Sequence, residues 1–213
     1  MDELFFEAAM CADTSSSKRP EVIVVGGPNG AGKTTTAARI LPYGLHEGKF
    51  LNADFMARGV SPHDPDGAAV EAGRMMLTRM RECREAQQSF SFESTLASRG
   101  IARFLAQAKA EGYVLRVGYV TLAQPELSVL RVAQRVSRGG HDIPKDVIVR
   151  RYWRSLVNFE TIYKPLCDAW TLYDNATNLL TTVASQQKPK DVTIHDADLW
   201  KRFQALRARA LLR

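Results

Sequence analysis

With 213 residues, 45% of them hydrophobic and 24% charged, and a net charge of +6, the chain has the make-up of one globular domain with a sizeable core. No run approaches the roughly eighteen consecutive apolar residues of a membrane span, and Met1 to Met10 carries Asp2, Glu3 and Glu7 without a basic residue, unlike a secretory leader. Cys11, Cys83 and Cys167 are odd in number and widely separated, a pattern for free thiols in a cytoplasmic protein rather than a disulfide framework or a metal cluster.

Along the chain, residues 1–20 read as an N-terminal segment, a short helix and then a polar linker, ahead of one domain over 21–213. The first strand starts near Glu21 and runs as a buried apolar stretch to Gly26. The following Gly27, Pro28, Asn29, Gly30, Ala31, Gly32, Lys33 and Thr34 fit G-x-x-x-x-G-K-[ST] in full. Thr35 follows, and an apolar helix pattern continues to Leu41, where Pro42 stops it. This order is that of a phosphate cradle. Glycines let the backbone close on phosphate oxygens, the helix aims its positive end at them, Lys33 reaches the β- and γ-phosphates, and the Thr34 hydroxyl suits Mg²⁺.

A short second strand is expected to end in Lys49–Asp54. A helix with Val70, Met76, Leu77, Met80 and Cys83 near one face follows the turn residues around Pro62 and Pro65. Gln88–Thr95 reads as a third strand, Ile101, Phe104, Leu105 and Ala108 mark a helix, and Tyr113–Leu122 is a longer strand. Pro125 opens a helix carrying Val129, Leu130, Ala133 and Val136, and after Gly139-Gly140 Pro144 opens another to about Phe159. Ala169–Asn175 is the last core strand. Two edge strands and a basic, apolar-striped helix close the chain. Strands alternating with helices predict an α/β, doubly wound parallel sheet with its ligands at the strands' carboxyl ends.

Three strand ends carry groups able to do chemistry. Asp54 fits either a base that takes the proton of an acceptor hydroxyl or a residue capping a local turn. Glu93, with Thr95, fits acceptor binding or a hold on a Mg²⁺-bound water, or else a polar strand end. Seven basic residues between Arg131 and Arg154 stand against only Asp142 and Asp146, so most of the excess charge is concentrated there. Such a cluster suits a nucleic-acid patch or arginines gathered on a triphosphate. Arg131, Arg135 and Arg138 share a helical face, and Arg150, Arg151 and Arg154 lie on the next helix. The region, about 131–154, resembles the closing lid of small-molecule kinases. His141 is placed to contact phosphate or to pack the turn, and His46, His63 and His195 are isolated.

Taken together, GGPNGAGKTT, LNAD, FEST, RVAQRVSRGGHDIPKDVIVRRYWRSL and LYDN resemble the zeta toxin family, in its short single-domain bacterial branch, over roughly residues 20–200. The resemblance implies a P-loop kinase fold, a parallel sheet flanked by helices with an arginine-rich lid. It implies ATP with Mg²⁺ and transfer to a UDP-amino sugar such as UDP-N-acetylglucosamine, with an antitoxin protein as a possible partner. Carried over, Lys33 and Thr34 serve the nucleotide and the metal, Asp54 is the base, and Glu93 and Thr95 belong to the acceptor stretch. Arg135 and Arg151 are the lid arginines on the moving phosphoryl. The chain departs from the pattern at Ala97, where well-studied toxins place an arginine used on the UDP-sugar; Arg99 lies two residues on. Kinases of another nucleotide, nucleoside or sugar, and a nucleic-acid-binding ATP switch, are the other readings.

Overall fold

The computed structural model describes residues 19–41, 49–61, 67–140 and 142–212. The expected N-terminal helix, the stop at Pro42, the turn around Pro62 and Pro65, Cys11, His46, His63 and His141 lie outside these residues. Seven strands form one sheet, β1 (Glu21–Gly26), β2 (Phe50–Leu51), β3 (Phe90–Ser94), β4 (Val114–Thr121), β5 (Ala169–Asp174), β6 (Thr181–Gln187) and β7 (Thr193–Ile194), in the order β2-β3-β1-β4-β5-β6-β7. The first five are parallel, and β6 and β7 add an antiparallel edge. Val22 to Val25 are fully buried, as an inner parallel strand covered on both faces requires.

The helices are α1 (Lys33–Ile40), α2 (Ala53–Val60), α3 (Ala69–Glu85), α4 (Gly100–Ala110), α5 (Pro125–Val136), α6 (Lys145–Asn158), α7 (Lys164–Leu166) and α8 (Ala197–Leu211), with a π-helical turn, Phe159–Tyr163, between α6 and α7. Chain order puts β3 and β4 on opposite sides of β1, so the sheet reverses direction of growth there. Ligands of open α/β sheets bind at such a crevice. The pairing of Val25 with Glu93 and Gly26 with Ser94 sets the polar end of β3 directly beside the start of the phosphate loop.

Three expectations are corrected. The second strand stops at Leu51, because the Asn52 side chain accepts the N–H groups of Asp54 (2.8 Å) and Phe55 (3.3 Å) and so caps a helix. Asp54 therefore lies in the first turn of α2, not at a strand end. In α3 the inner face is Ala72, Met76 and Met80, while Val70 is 68% exposed. In α5 the buried positions are Pro125, Ser128 and Val132, and Leu130 faces solvent.

Helix α6 is fastened to the sheet by its aromatic face. Tyr119 stacks on Phe159 at 4.2 Å, the Tyr119 and Ser155 hydroxyls are 3.0 Å apart, and the Tyr152 hydroxyl donates to the Leu122 carbonyl at 2.6 Å. At the other end, α5 and α6 share a small apolar cluster of their own, Val132, Ile143 and Ile148. Gly139, at φ +82°, reverses the chain between them. A side chain at Gly140 would strike the Arg135 carbonyl, 2.9 Å from where its Cβ would stand.

Candidate active site

The phosphate loop owes its path to three glycines in backbone conformations that other residues rarely adopt: Gly27 (φ +143°), Gly30 (φ +73°) and Gly32 (φ +85°). A Cβ on Gly27 would collide with the Val120 carbonyl oxygen, so the loop hugs the end of β4. Gly32 caps α1, which begins at Lys33. Lys33 Nζ donates to the Pro28 carbonyl at 3.1 Å, and the Thr34 hydroxyl donates to Glu93 Oε2 at 2.8 Å.

Around Lys33 the fold gathers residues from four separate elements. Burial lowers the Lys33 pKa; the charges of Glu93 and Asp54 oppose that shift, and those of Arg135 and Arg151 reinforce it. Arg135 Nη1 lies 3.8 Å from Asp54 Oδ2, both half open to solvent. Three cations and two carboxylates, from α1, α2, β3, α5 and α6, thus lie near enough for their charges to bear on Lys33, a balance suited to a polyphosphate and to an acceptor hydroxyl beside it. Lys33, Asp54, Glu93, Arg135 and Arg151, picked from sequence, are brought together. Arg138, Arg150 and Arg154 are exposed, and Arg150 pairs at 3.8 Å with Asp146 on its own helix.

For a divalent ion, the Thr34 hydroxyl and the Glu93 carboxylate offer hard oxygen donors within hydrogen-bond distance of each other. Among the described residues no group of three His, Cys, Asp or Glu could hold a metal. This donor set fits Mg²⁺, which is characteristically held by one or two protein oxygens with phosphate and water completing the shell.

Beyond Glu93 the chain makes a tight turn. Ser94 Oγ accepts from Leu96 N–H at 3.1 Å, and Leu96, fully buried, has φ +56°. Thr95 and Ala97 are half-buried here, and Arg99 is exposed at the start of α4. The turn is pinned from the far end of α6: Asn158 Nδ2 donates to the Leu96 carbonyl at 2.8 Å, and the Tyr163 hydroxyl to the Ser98 carbonyl at 2.7 Å. The helix that carries Arg151 therefore also fixes the candidate acceptor turn. Neither Asn158 nor Tyr163 was legible beforehand, since each bond spans more than sixty residues. On the opposite side of the loop, a cavity of about 310 Å³ is lined by Gly32, Thr35, Arg39, Asn175 and Leu180.

A parallel sheet in this order, with its glycine loop feeding a Lys-Thr helix and arginines near the mouth, is the fold of P-loop kinases. The family model described as Zeta toxin matches residues 61–196, and the chain belongs to the zeta toxin family. An uncharacterized protein of Haemophilus influenzae is 28% identical over 132 residues, 59% of this chain and 88% of that one. A chain of the AvrRxo1-ORF1:AvrRxo1-ORF2 complex, solved with ATP, superposes with a TM-score of 0.67 at 16% identity over 94% of this chain; this chain spans 66% of that one, just under two thirds. The PezAT chromosomal toxin–antitoxin system of Streptococcus pneumoniae is similar at a TM-score of 0.59 and 16% identity, over 96% of this chain and 91% of that one. At that identity the two solved structures speak for the fold alone.

Proposed function

We propose that this protein, as one domain over residues 21–213, transfers the γ-phosphoryl group of ATP to a hydroxyl of a small UDP-amino sugar such as UDP-N-acetylglucosamine. The observation that carries the reading is that, at the mouth of the phosphate loop, Glu93 accepts the Thr34 hydroxyl at 2.8 Å and Arg135 lies 3.8 Å from Asp54. In the reaction, Asp54 takes the proton of the acceptor hydroxyl as its oxygen bonds to the γ-phosphorus, and the bond to the β,γ-bridging oxygen breaks to release ADP. Lys33 holds the β- and γ-phosphates, and Arg135 and Arg151 balance the charge that builds on the moving group. Thr34 and Glu93 would hold Mg²⁺, which, when bound, neutralises the phosphate oxygens. Thr95, with Glu93, orients the acceptor, and Gly27 to Thr35 bind the nucleotide.

Ala97 supports a second acceptor, another nucleotide, nucleoside or sugar, because its methyl group offers no charge to a diphosphate. A nucleic-acid switch has less support: Arg131 is spent on backbone carbonyls, Arg135 faces Asp54, and Arg150 pairs with Asp146. The systems named for the structural relatives make an antitoxin protein a partner worth seeking. Among the described residues no helix is long and apolar enough to cross a membrane. The test is labelled ATP incubated with a panel of UDP-sugars and nucleosides, with mass analysis of products. A phosphorylated UDP-amino sugar is expected; transfer to nucleosides alone selects the second acceptor, and transfer to none contradicts the kinase reading.

A further inference from the structure

We infer that Arg131 is a positioning residue that, together with Ser128 and Asn175, aims the amides of the phosphate loop, and that it does not touch the transferring phosphoryl group. The inference rests on the reading of that loop as the nucleotide site. Three successive loop carbonyls each accept a bond from a different side chain. Ser128 Oγ, fully buried on α5, donates to the Asn29 carbonyl at 2.6 Å. Arg131 Nη1 reaches the Gly30 carbonyl in a long 3.5 Å contact, and Asn175 Nδ2 donates to the Ala31 carbonyl at 2.8 Å. The Arg131 fork is anchored in turn, because Nη2 donates to the carbonyls of Asn175 (2.7 Å) and Ala176 (3.0 Å) beyond β5.

The consequence follows from peptide geometry. In a planar trans peptide the carbonyl of one residue and the N–H of the next point in opposite directions. Fixing the carbonyls of Asn29, Gly30 and Ala31 toward the clasp turns the N–H groups of Gly30, Ala31 and Gly32 away from it. Of these, the Ala31 N–H closes the turn onto the Pro28 carbonyl at 3.3 Å, and the Gly30 and Gly32 N–H groups are the donors held on one side of the loop, as an anion cradle requires. The clasp also explains two of the glycines. A Cβ on Gly30 would stand 3.0 Å from the Ser128 carbonyl and 3.1 Å from Arg131 Cβ, and one on Gly32 would stand 2.6 Å from Asn175 Nδ2. Side chains there would push the clasp off the loop.

This separates the arginines of one helix. Arg131 gives its donors to carbonyls of two segments, whereas Arg135, one turn on, faces Asp54 across the cleft. Any lid motion about Gly139-Gly140 then leaves the N-terminal half of α5 bolted to the loop.

Arg131→Met, Arg131→Lys and Ser128→Ala test this, with Mg·ATP and ADP as probes. Nucleotide affinity is measured calorimetrically, transfer by steady-state kinetics, and loop order by amide hydrogen exchange over residues 27–33. Arg131→Met is expected to weaken both nucleotides by about ten- to a hundredfold, the usual worth of charge-assisted bonds, to raise KM far more than it lowers kcat, and to speed exchange in the loop. Lysine should rescue poorly, since a point charge cannot bridge two segments. Ser128→Ala should move all readouts the same way by less, and it carries the test should Arg131→Met fail to fold. Wild-type affinity and exchange with a large fall in kcat would place Arg131 on the phosphoryl and overturn the clasp while leaving the kinase reading intact. Failure of the wild-type protein to bind either nucleotide would overturn both.

Discussion

Two charge clusters of this molecule are built on opposite plans. Behind the sheet, Glu160, with a side chain only 5% exposed, is gripped by Lys164 at 3.1 Å and Arg207 at 2.7 Å, while Lys164 also lies 4.3 Å from the centre of the Trp170 ring. The acid, two cations and an aromatic face are packed against one another. At the mouth of the cleft, Asp54 is 58% exposed and its contact with Arg135 is a loose 3.8 Å. The first arrangement spends its charges on the fold, tying α8 to the end of α6. The second keeps them approachable, which is the condition for meeting a substrate that brings its own charge.

Substitutions should separate the two clusters, the largest effects coming from the cleft. Lys33→Ala should cut transfer about a thousandfold, the scale of losing one preorganised charge at the reacting group, with the melting temperature of wild type; unchanged turnover in a folded variant would remove the loop from the chemistry. Arg135→Ala and Arg151→Ala should each lower kcat by about a hundredfold with a smaller change in ATP affinity, read from steady-state kinetics. If either changed only nucleotide affinity, the assignment to the moving phosphoryl would be wrong.

The rear cluster should answer in stability alone. Glu160→Ala leaves Lys164 and Arg207 facing each other and should cost about 2–3 kcal/mol, toward the lower end for breaking a buried pair because Arg207 is partly solvated. Thermal melts would read it, and kcat of the folded enzyme should hold. The smallest effect is expected at Asp168. Burial raises its pKa, but the Leu115 N–H, Lys109 at 2.8 Å and Lys188 together outweigh burial and leave it below the ordinary 3.8. An acid held lower in the folded than in the unfolded state contributes stability in full above the unfolded value, and loses it as pH falls through the folded one. Wild type and Asp168→Asn should therefore differ most in denaturation midpoint near neutral pH, and the gap should close as pH falls below the ordinary 3.8 and through the lower folded value. A constant gap across that window would contradict the assignment.

What could be read from the chain alone follows the range of the interactions involved. The phosphate loop is a local pattern, so Gly27 to Thr34 stood out before any fold was known. The helical spacing of Arg131 and Arg135 was equally visible, but spacing gives a shared face and not what that face meets. Arg131 turned out to serve backbone carbonyls 44 and 101 residues away. Asp54 was found as a residue and misplaced as an element, because one Asn52 side chain decides whether the chain extends or coils at that point. The buried stripe of α5 was misjudged for a related reason: Ser128, polar by composition, is fully buried because the Asn29 carbonyl is there to receive it.

The central claim, that the cleft transfers a phosphoryl group to a hydroxyl deprotonated by Asp54, is tested most directly by single-turnover transfer from pre-bound, γ-labelled ATP in wild type and Asp54→Asn. Asparagine keeps the size and the turn-forming habit of aspartate, so the cap of α2 should survive and stability should change by less than about 1 kcal/mol, the worth of one acid at a helix start. With ATP affinity near wild type, the transfer rate should fall by about two to four orders of magnitude, the range for removing a general base. A folded Asp54→Asn protein that phosphorylates its acceptor at close to the wild-type rate would contradict the account.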